Sequence, residues 1–189
     1  RDGGITTPIL MMGGALPSAM PELLQHDLIP TVHCQELADA VVTAAQRRTP
    51  VYIKIDCGFG RLGVPLRSAH RFVIDLARSP RLDIAGLYTH LPFADADGQS
   101  FARERIKSFG SLVEALARDG LTIPITQARA SAALIAVIDD DCTAVSPGAL
   151  IYGLSPVEPS LAACPTGLRP VMSRLSTRLI QVSSWAGDR

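Results

Sequence analysis

Residues 51–64 read VYIKIDCGFGRLGV, a short strand running into a glycine-punctuated loop. Val51, Ile53 and Ile55 alternate with Tyr52, Lys54 and Asp56. A period of two puts the aliphatic side chains on one face of a strand and Lys54 and Asp56 on the other. The strand ends at Cys57-Gly58, and Gly58, Gly60 and Gly63 bracket Phe59 and Arg61. Glycine lets a backbone turn tightly or come close to a ligand. An arginine held there offers charge-assisted hydrogen bonds to a carboxylate or a phenolate oxygen. The same pattern also serves an ordinary βα loop with a surface arginine.

On both sides of this segment, strand and helix patterns alternate. Apolar runs at residues 8–13 (a buried strand), 29–33, 50–56, 83–90, 123–128 and 143–146 read as strands. Helical spacing marks 21–25, 35–47, a helix capped by Ser68, a long helix over 100–118, and short ones over 131–138 and 148–152. Strict alternation predicts a parallel sheet with its helices outside, either doubly wound or closed as a barrel. No GxGxxG follows the first strand, so a dinucleotide fold is disfavoured. The predicted fold is an α/β parallel (β/α)8 TIM-type barrel, incomplete at about six βα units. Polar and glycine residues cluster directly after the strands, where either architecture builds its site. Past Pro156 the alternation stops. Residues 1–156 are thus expected to form the partial barrel, 157–169 a connector, and 170–189 the first strand of a truncated β domain.

Composition narrows the function. The chain has 189 residues, is 47% hydrophobic, and balances 18 Lys and Arg against 18 Asp and Glu. Without a net field, nucleic acid and membrane surfaces are not expected partners. Cys34, Cys57, Cys142 and Cys164 form no CxxC pair, which suits buried, reduced thiols in the cytoplasm. No apolar run reaches membrane length and no signal peptide is visible. The chain opens at Arg1 without a methionine and is expected to be a piece of something longer.

Several residues carry potential chemistry. His90, at the end of the fourth strand, can stack on a flat ligand, act as a base, bind a metal or remain structural. His26, His33 and His70 are scattered, so a zinc site is not expected. Asp95 and Asp97 read as loop decoration. Gly148 and Ser131 each stand at a helix start, where free backbone N–H groups attract an anion. A serine in that place equally serves as a plain N-cap.

Taken in order, IKIDCGFGRLGV, LYTHLPFADAD, ASAA and PGALIYGLSP resemble the amino-terminal barrel of the alanine racemase family. The resemblance implies an eightfold β/α barrel holding pyridoxal 5′-phosphate, followed by a β domain. It implies that Arg61 bonds the cofactor's phenolic oxygen and meets the substrate carboxylate, and that Lys54 is open to carbamylation and steadies Arg61. His90 would stack on the ring, and Ser131 with the backbone of Gly148 and Ala149 would hold the phosphate. Met12 would lie near the cofactor, and Ser146 near the ring nitrogen.

There are departures too. Ala130 stands where the family has an asparagine, and Ser146 where it has an arginine. The family's Schiff-base lysine and opposite-face tyrosine have no counterpart in this chain, whose only lysines are Lys54 and Lys107. The implied function is a cytoplasmic, homodimeric amino-acid racemase that exchanges the Cα proton between two bases. The isolated chain itself is expected to be inactive. The alternative is a non-catalytic or diverged pyridoxal-phosphate-binding homologue.

Overall fold

The computed structural model describes residues 3–162 and 167–172. Strands β1 (Ile9–Met11), β2 (Leu28–Val32), β3 (Thr49–Asp56), β4 (Val64–Pro65), β5 (Leu82–Tyr88), β6 (Ile125–Ala130) and β7 (Ala144–Ser146) form one sheet. Its order is β1-β2-β3-β5-β6-β7, every pairing is parallel, and β4 hangs on β3 as a side branch. Helices α1 (Met20–Gln25), α2 (Gln35–Ala44), α3 (Leu66–Ala77), α4 (Ala96–Arg118), α5 (Ser131–Ile135) and α6 (Gly148–Ile151) fall between the strands or follow the last. The fold is part of a parallel β/α barrel, with six successive barrel strands, and β4 as a side branch, in the described residues.

The two faces of β3 divide the molecule as the alternation requires. Val51, Ile53 and Ile55 are fully buried and share a core cluster with Ala69, Val73 and Leu76 of α3 and with Ile106 and Phe109 of α4. Burying such aliphatic and aromatic side chains stabilises by about 1.5–3 kcal/mol each. Tyr52 and Lys54 lie in register with Gly86 and Tyr88 of β5. A Cβ at Gly86 would overlap the Tyr52 ring, so the missing side chain is what gives that ring its place.

Several boundaries differ from the sequence reading. The strand read at 8–13 is only three residues long and half-buried, because in the described sheet β1 is an edge strand. Ser68 does not cap α3. The helix starts at Leu66 with Pro65 as N-cap, and Ser68 Oγ donates to the Pro65 carbonyl. The long helix begins four residues before Ser100, at Ala96, because Asp95 accepts a hydrogen bond from the Gly98 N–H at 2.8 Å. This cap explains Asp95 without an acid–base role. α5 stops at Ile135, and Val137 just beyond it has a φ of 50°. Of the proposed β domain, only residues 170–172 are described and they form no strand; the rest lies outside the described residues. Cys34, Cys57 and Cys142 are free thiols, and Cys57 is buried.

Replacing Gly86 by alanine is expected to destabilise the protein by about 1–3 kcal/mol, as overpacking does. Most of the loss should return when Tyr52 is also changed to leucine. Urea unfolding of the single and double variants checks this, and an unchanged midpoint in Gly86→Ala would contradict the packing described.

Candidate functional site

The loop after β3 is built around one carboxylate. Asp56 Oδ1 accepts the backbone N–H groups of Gly58, Phe59 and Gly60 at 3.0, 2.9 and 3.2 Å, and Oδ2 accepts Gly60 again at 3.1 Å. The chain then doubles back so that β4 pairs with the end of β3, Ile55 with Val64 and Asp56 with Pro65. This return needs Gly63. Its φ is 148°, and a Cβ there would lie 2.5 Å from the Asp56 nitrogen. A bound carboxylate at one end and a pinched base at the other leave the loop little freedom.

The loop delivers Arg61 to a cleft that it shares with Lys54 and His90. The Arg61 guanidinium stands 5.2 Å from the Phe59 ring centroid, and Phe59 meets His90 edge-on at 6.2 Å between centroids. Lys54 is buried, its Nζ 5.5 Å from the Tyr88 ring centroid. Burial and then the Arg61 charge push the Lys54 ammonium below its usual range, with Asp56 partly opposing. His90 is lowered by burial, then by Arg61 and Lys54. Beneath the cleft, Tyr88 donates its phenol proton to the Met12 carbonyl at 3.0 Å. It therefore accepts from Thr31 Oγ1, also at 3.0 Å. Met12 is tied to the strand C-terminal ends through this bond.

His90 also lines a second, larger cavity of about 580 Å³, together with Met12, Gln127, Ser131, Ser146 and Gly148. Ala130 and Ser146 are register partners on β6 and β7 and both face it. At Gly148 an added Cβ would meet nothing within 4 Å, so the backbone there is open to the cavity. Ser131 Oγ accepts the Leu150 N–H at 3.2 Å, which leaves its own proton to donate. Ser146 Oγ donates to the Arg129 carbonyl at 3.4 Å. α6 is a single turn, so any anion affinity here rests on individual amides and Ser131 rather than on a long helix. Another cavity, of about 690 Å³, lies by Leu28, Thr49 and Pro50 at the strand N-terminal ends. Barrel chemistry is built at the opposite end.

The structure thus gathers the residues singled out in the sequence. Lys54, Arg61 and His90 share the cleft, and Met12, His90, Ser131, Ser146, Gly148 and Ala149 line the adjoining cavity. Two contributions were not foreseen. Asp56 is the hub of the loop, which its place beside three glycine-region amides could have suggested. Gln127 is buried, and its side-chain Nε2 has no partner among the described residues. A polar residue inside the strand pattern ITQARA was the available signal.

The lowered His90 has a consequence for stability. Unfolded, a histidine titrates near pH 6.5; folded, His90 titrates lower. Below about pH 6.5 the unfolded chain therefore binds the extra proton first, and stability falls as pH drops through that window. His90→Phe, which keeps a ring in place, is expected to flatten this acid-side loss between about pH 7 and 5. Denaturation midpoints measured across that range test it, and parallel curves for the two proteins would contradict it.

The sequence profile described as "Alanine racemase, N-terminal domain" matches residues 1–156. The alanine racemase of Sorangium cellulosum is 32% identical over 197 residues, covering 100% of this chain and 51% of that protein. That of Halothermothrix orenii is 35% identical over 159 residues, covering 82% of this chain and 42% of that protein. The chain spans about half the length of the curated relatives it matches. Among solved structures, the Clostridium difficile alanine racemase in complex with cycloserine superposes with a TM-score of 0.77 at 26% identity, over 82% of this chain and 44% of that one. The Bacillus anthracis enzyme with bound L-Ala-P gives 0.74 at 28% identity, over 90% and 45%. With the profile covering more than half of its residues, the chain belongs to the alanine racemase family through that family's N-terminal domain.

Proposed function

We propose that this chain supplies the cofactor-holding barrel of a pyridoxal 5′-phosphate-dependent amino-acid racemase. One observation carries the reading. Lys54, Arg61 and His90 share a cleft, and His90 also lines the adjoining cavity, whose wall offers Ser131, the open backbone of Gly148, and Ala149. These residues fit the cofactor's three kinds of surface. Ser131, whose oxygen already accepts from Leu150, donates its proton to the phosphate beside the Gly148 and Ala149 amides. His90, held towards its neutral form, gives the ring a flat uncharged partner. Arg61 meets the phenolic oxygen and the substrate carboxylate with its planar donors. When bound, pyridoxal phosphate acts as the electron sink that acidifies the Cα proton.

The chain's own residues bind and orient. Neither group that moves the α proton is among them, since Lys54 sits under Arg61 and Lys107 is exposed on α4. We assign both bases to residues outside this chain. Residues 1–189 alone are then expected not to interconvert L- and D-alanine.

Lys54 has a supporting role in this reading. Burial and Arg61 favour its neutral amine, the form that adds carbon dioxide. The N–C bond forms, one amine proton leaves to solvent, and the resulting carbamate anion pairs with Arg61. Incubation with 13C-bicarbonate is expected to give a carbamate carbon resonance that disappears in Lys54→Ala. The same spectrum for both proteins would remove the modification.

Ser146 and Ala130 favour a second reading. The Ser146 hydroxyl is turned to the Arg129 carbonyl, and Ala130 beside it is apolar, so these two positions bring no charge to the cavity. A diverged pyridoxal-phosphate-binding homologue would look this way. The protein expressed from its own gene separates the two. Cofactor binding with L- to D-alanine turnover, followed by chiral chromatography, supports the racemase. Binding without turnover supports the diverged homologue, and no binding sinks both. The same preparation, sized by light scattering, tests the homodimer that we also propose, along with a cytoplasmic location. Among the described residues no helix is long and apolar enough to cross a membrane.

A further inference from the structure

Gln127 holds a hydrogen-bond donor that no described residue accepts. It lies inside β6, paired with Tyr88 of β5 on one side and Ala144 of β7 on the other. Its carbonyl accepts the Thr89 N–H at 3.0 Å, which fixes its backbone between the two strands. The residue is 6% exposed, it lines the cavity beside His90 and Ser146, and its Nε2 has no partner among the described residues. A buried donor left unmade is costly, whereas an apolar side chain of the same size would cost nothing there. Such a group calls for an explanation, and a ligand in the cavity is the nearest one.

The chemistry of the surrounding wall says what kind of atom it meets. Ala130, Val145 and Ser146 on the neighbouring positions are uncharged, and the Ser146 hydroxyl already has an acceptor, the Arg129 carbonyl at a long 3.4 Å. A neutral amide brings a donor without a charge to this wall, which suits a neutral acceptor. The anionic parts of a ligand have other places, at Arg61 on one side and at Ser131 and Gly148 on the other.

We infer that Gln127 is a ligand-binding residue of this cavity, its Nε2 donating a hydrogen bond to a neutral ring acceptor at the edge of a flat ligand. Resting on the reading above, that acceptor is the unprotonated ring nitrogen of pyridoxal phosphate, the aromatic acceptor that remains once phosphate and phenolic oxygen are placed. Gln127 is then the donor in this wall with no partner among the described residues, whereas Ser146 has the Arg129 carbonyl.

The test uses the protein expressed from its own gene, titrated with pyridoxal phosphate and with the analogue in which C–H replaces the ring nitrogen. The wild type is expected to bind the analogue about tenfold more weakly, the size of one neutral hydrogen bond. Gln127→Met is expected to bind pyridoxal phosphate about tenfold more weakly than wild type and to lose that discrimination, while the melting temperature of its cofactor-free form stays level or rises. Gln127→Asn, which keeps the amide but shortens its reach, should lose discrimination in the same way. A wild type that does not distinguish the two ligands overturns the inference while leaving the racemase reading standing. So does Gln127→Met with a lowered melting temperature and unchanged affinity, since that marks a structural amide. A wild type that binds neither ligand overturns both.

Discussion

The carboxylate of Asp56, closed over by three successive backbone N–H groups, is the constraint on which the rest of the site depends. A glycine-rich loop is entropically free by default. Here the strand's last residue turns its charge onto the loop that follows it, and the loop then returns to pair with that same strand. Arg61 is thereby presented by β3 as firmly as Lys54, although one sits on a loop and the other in the sheet. The nearest carboxylate is spent on backbone donors, so Arg61, Lys54 and His90 are left facing one another with little local compensation. Lys54 and His90 are lowered first by burial and then by these neighbouring charges. An anionic or electron-rich ligand relieves that arrangement, and few other visitors would.

The two spaces that meet at His90 differ in charge as a result. The cleft towards β3 holds Arg61 and Lys54, whereas the cavity walled by β6, β7 and α6 has, apart from His90, only uncharged side chains in its lining. A flat ligand with acidic groups at its periphery has its orientation chosen by this asymmetry before any close contact is made. His90 stands at the border and belongs to both halves, which is why its protonation state matters more than that of a surface histidine.

Much of this was legible in the chain because it is encoded locally. The period of two in residues 51–56 gave the inner and outer faces, and the glycines after Cys57 marked the turn that carries Arg61. The apolar stripe read at Ala102, Ile106, Phe109, Val113 and Leu116 of α4 was nearly as plain: all are buried but Val113, which is partly so, while Leu112 is buried instead. What was missed depends on partners distant in the chain. β4 is two residues long and exists only because Gly63 lets it touch Ile55 and Asp56. Ser68 looked like a cap, but the return to β3 starts the helix at Leu66 instead. β1 read as buried from its apolar run, whereas burial is decided by what stands on its other side. Gln127 is an unremarked polar residue until β5 and β7 enclose it.

The bond from the Leu150 N–H to Ser131 Oγ joins α5 to α6 through a hydroxyl that still has a proton to give. Hydrogen bonds in series polarise one another. When that proton is drawn towards an anion, the oxygen becomes a better acceptor and grips Leu150 more firmly. Under the function proposed above, occupancy of the cavity and docking of α6 are therefore coupled events. A turn that helps receive an anion would itself be fastened by the anion's arrival, so the rim of the barrel would gain rigidity from its ligand rather than having to possess it beforehand.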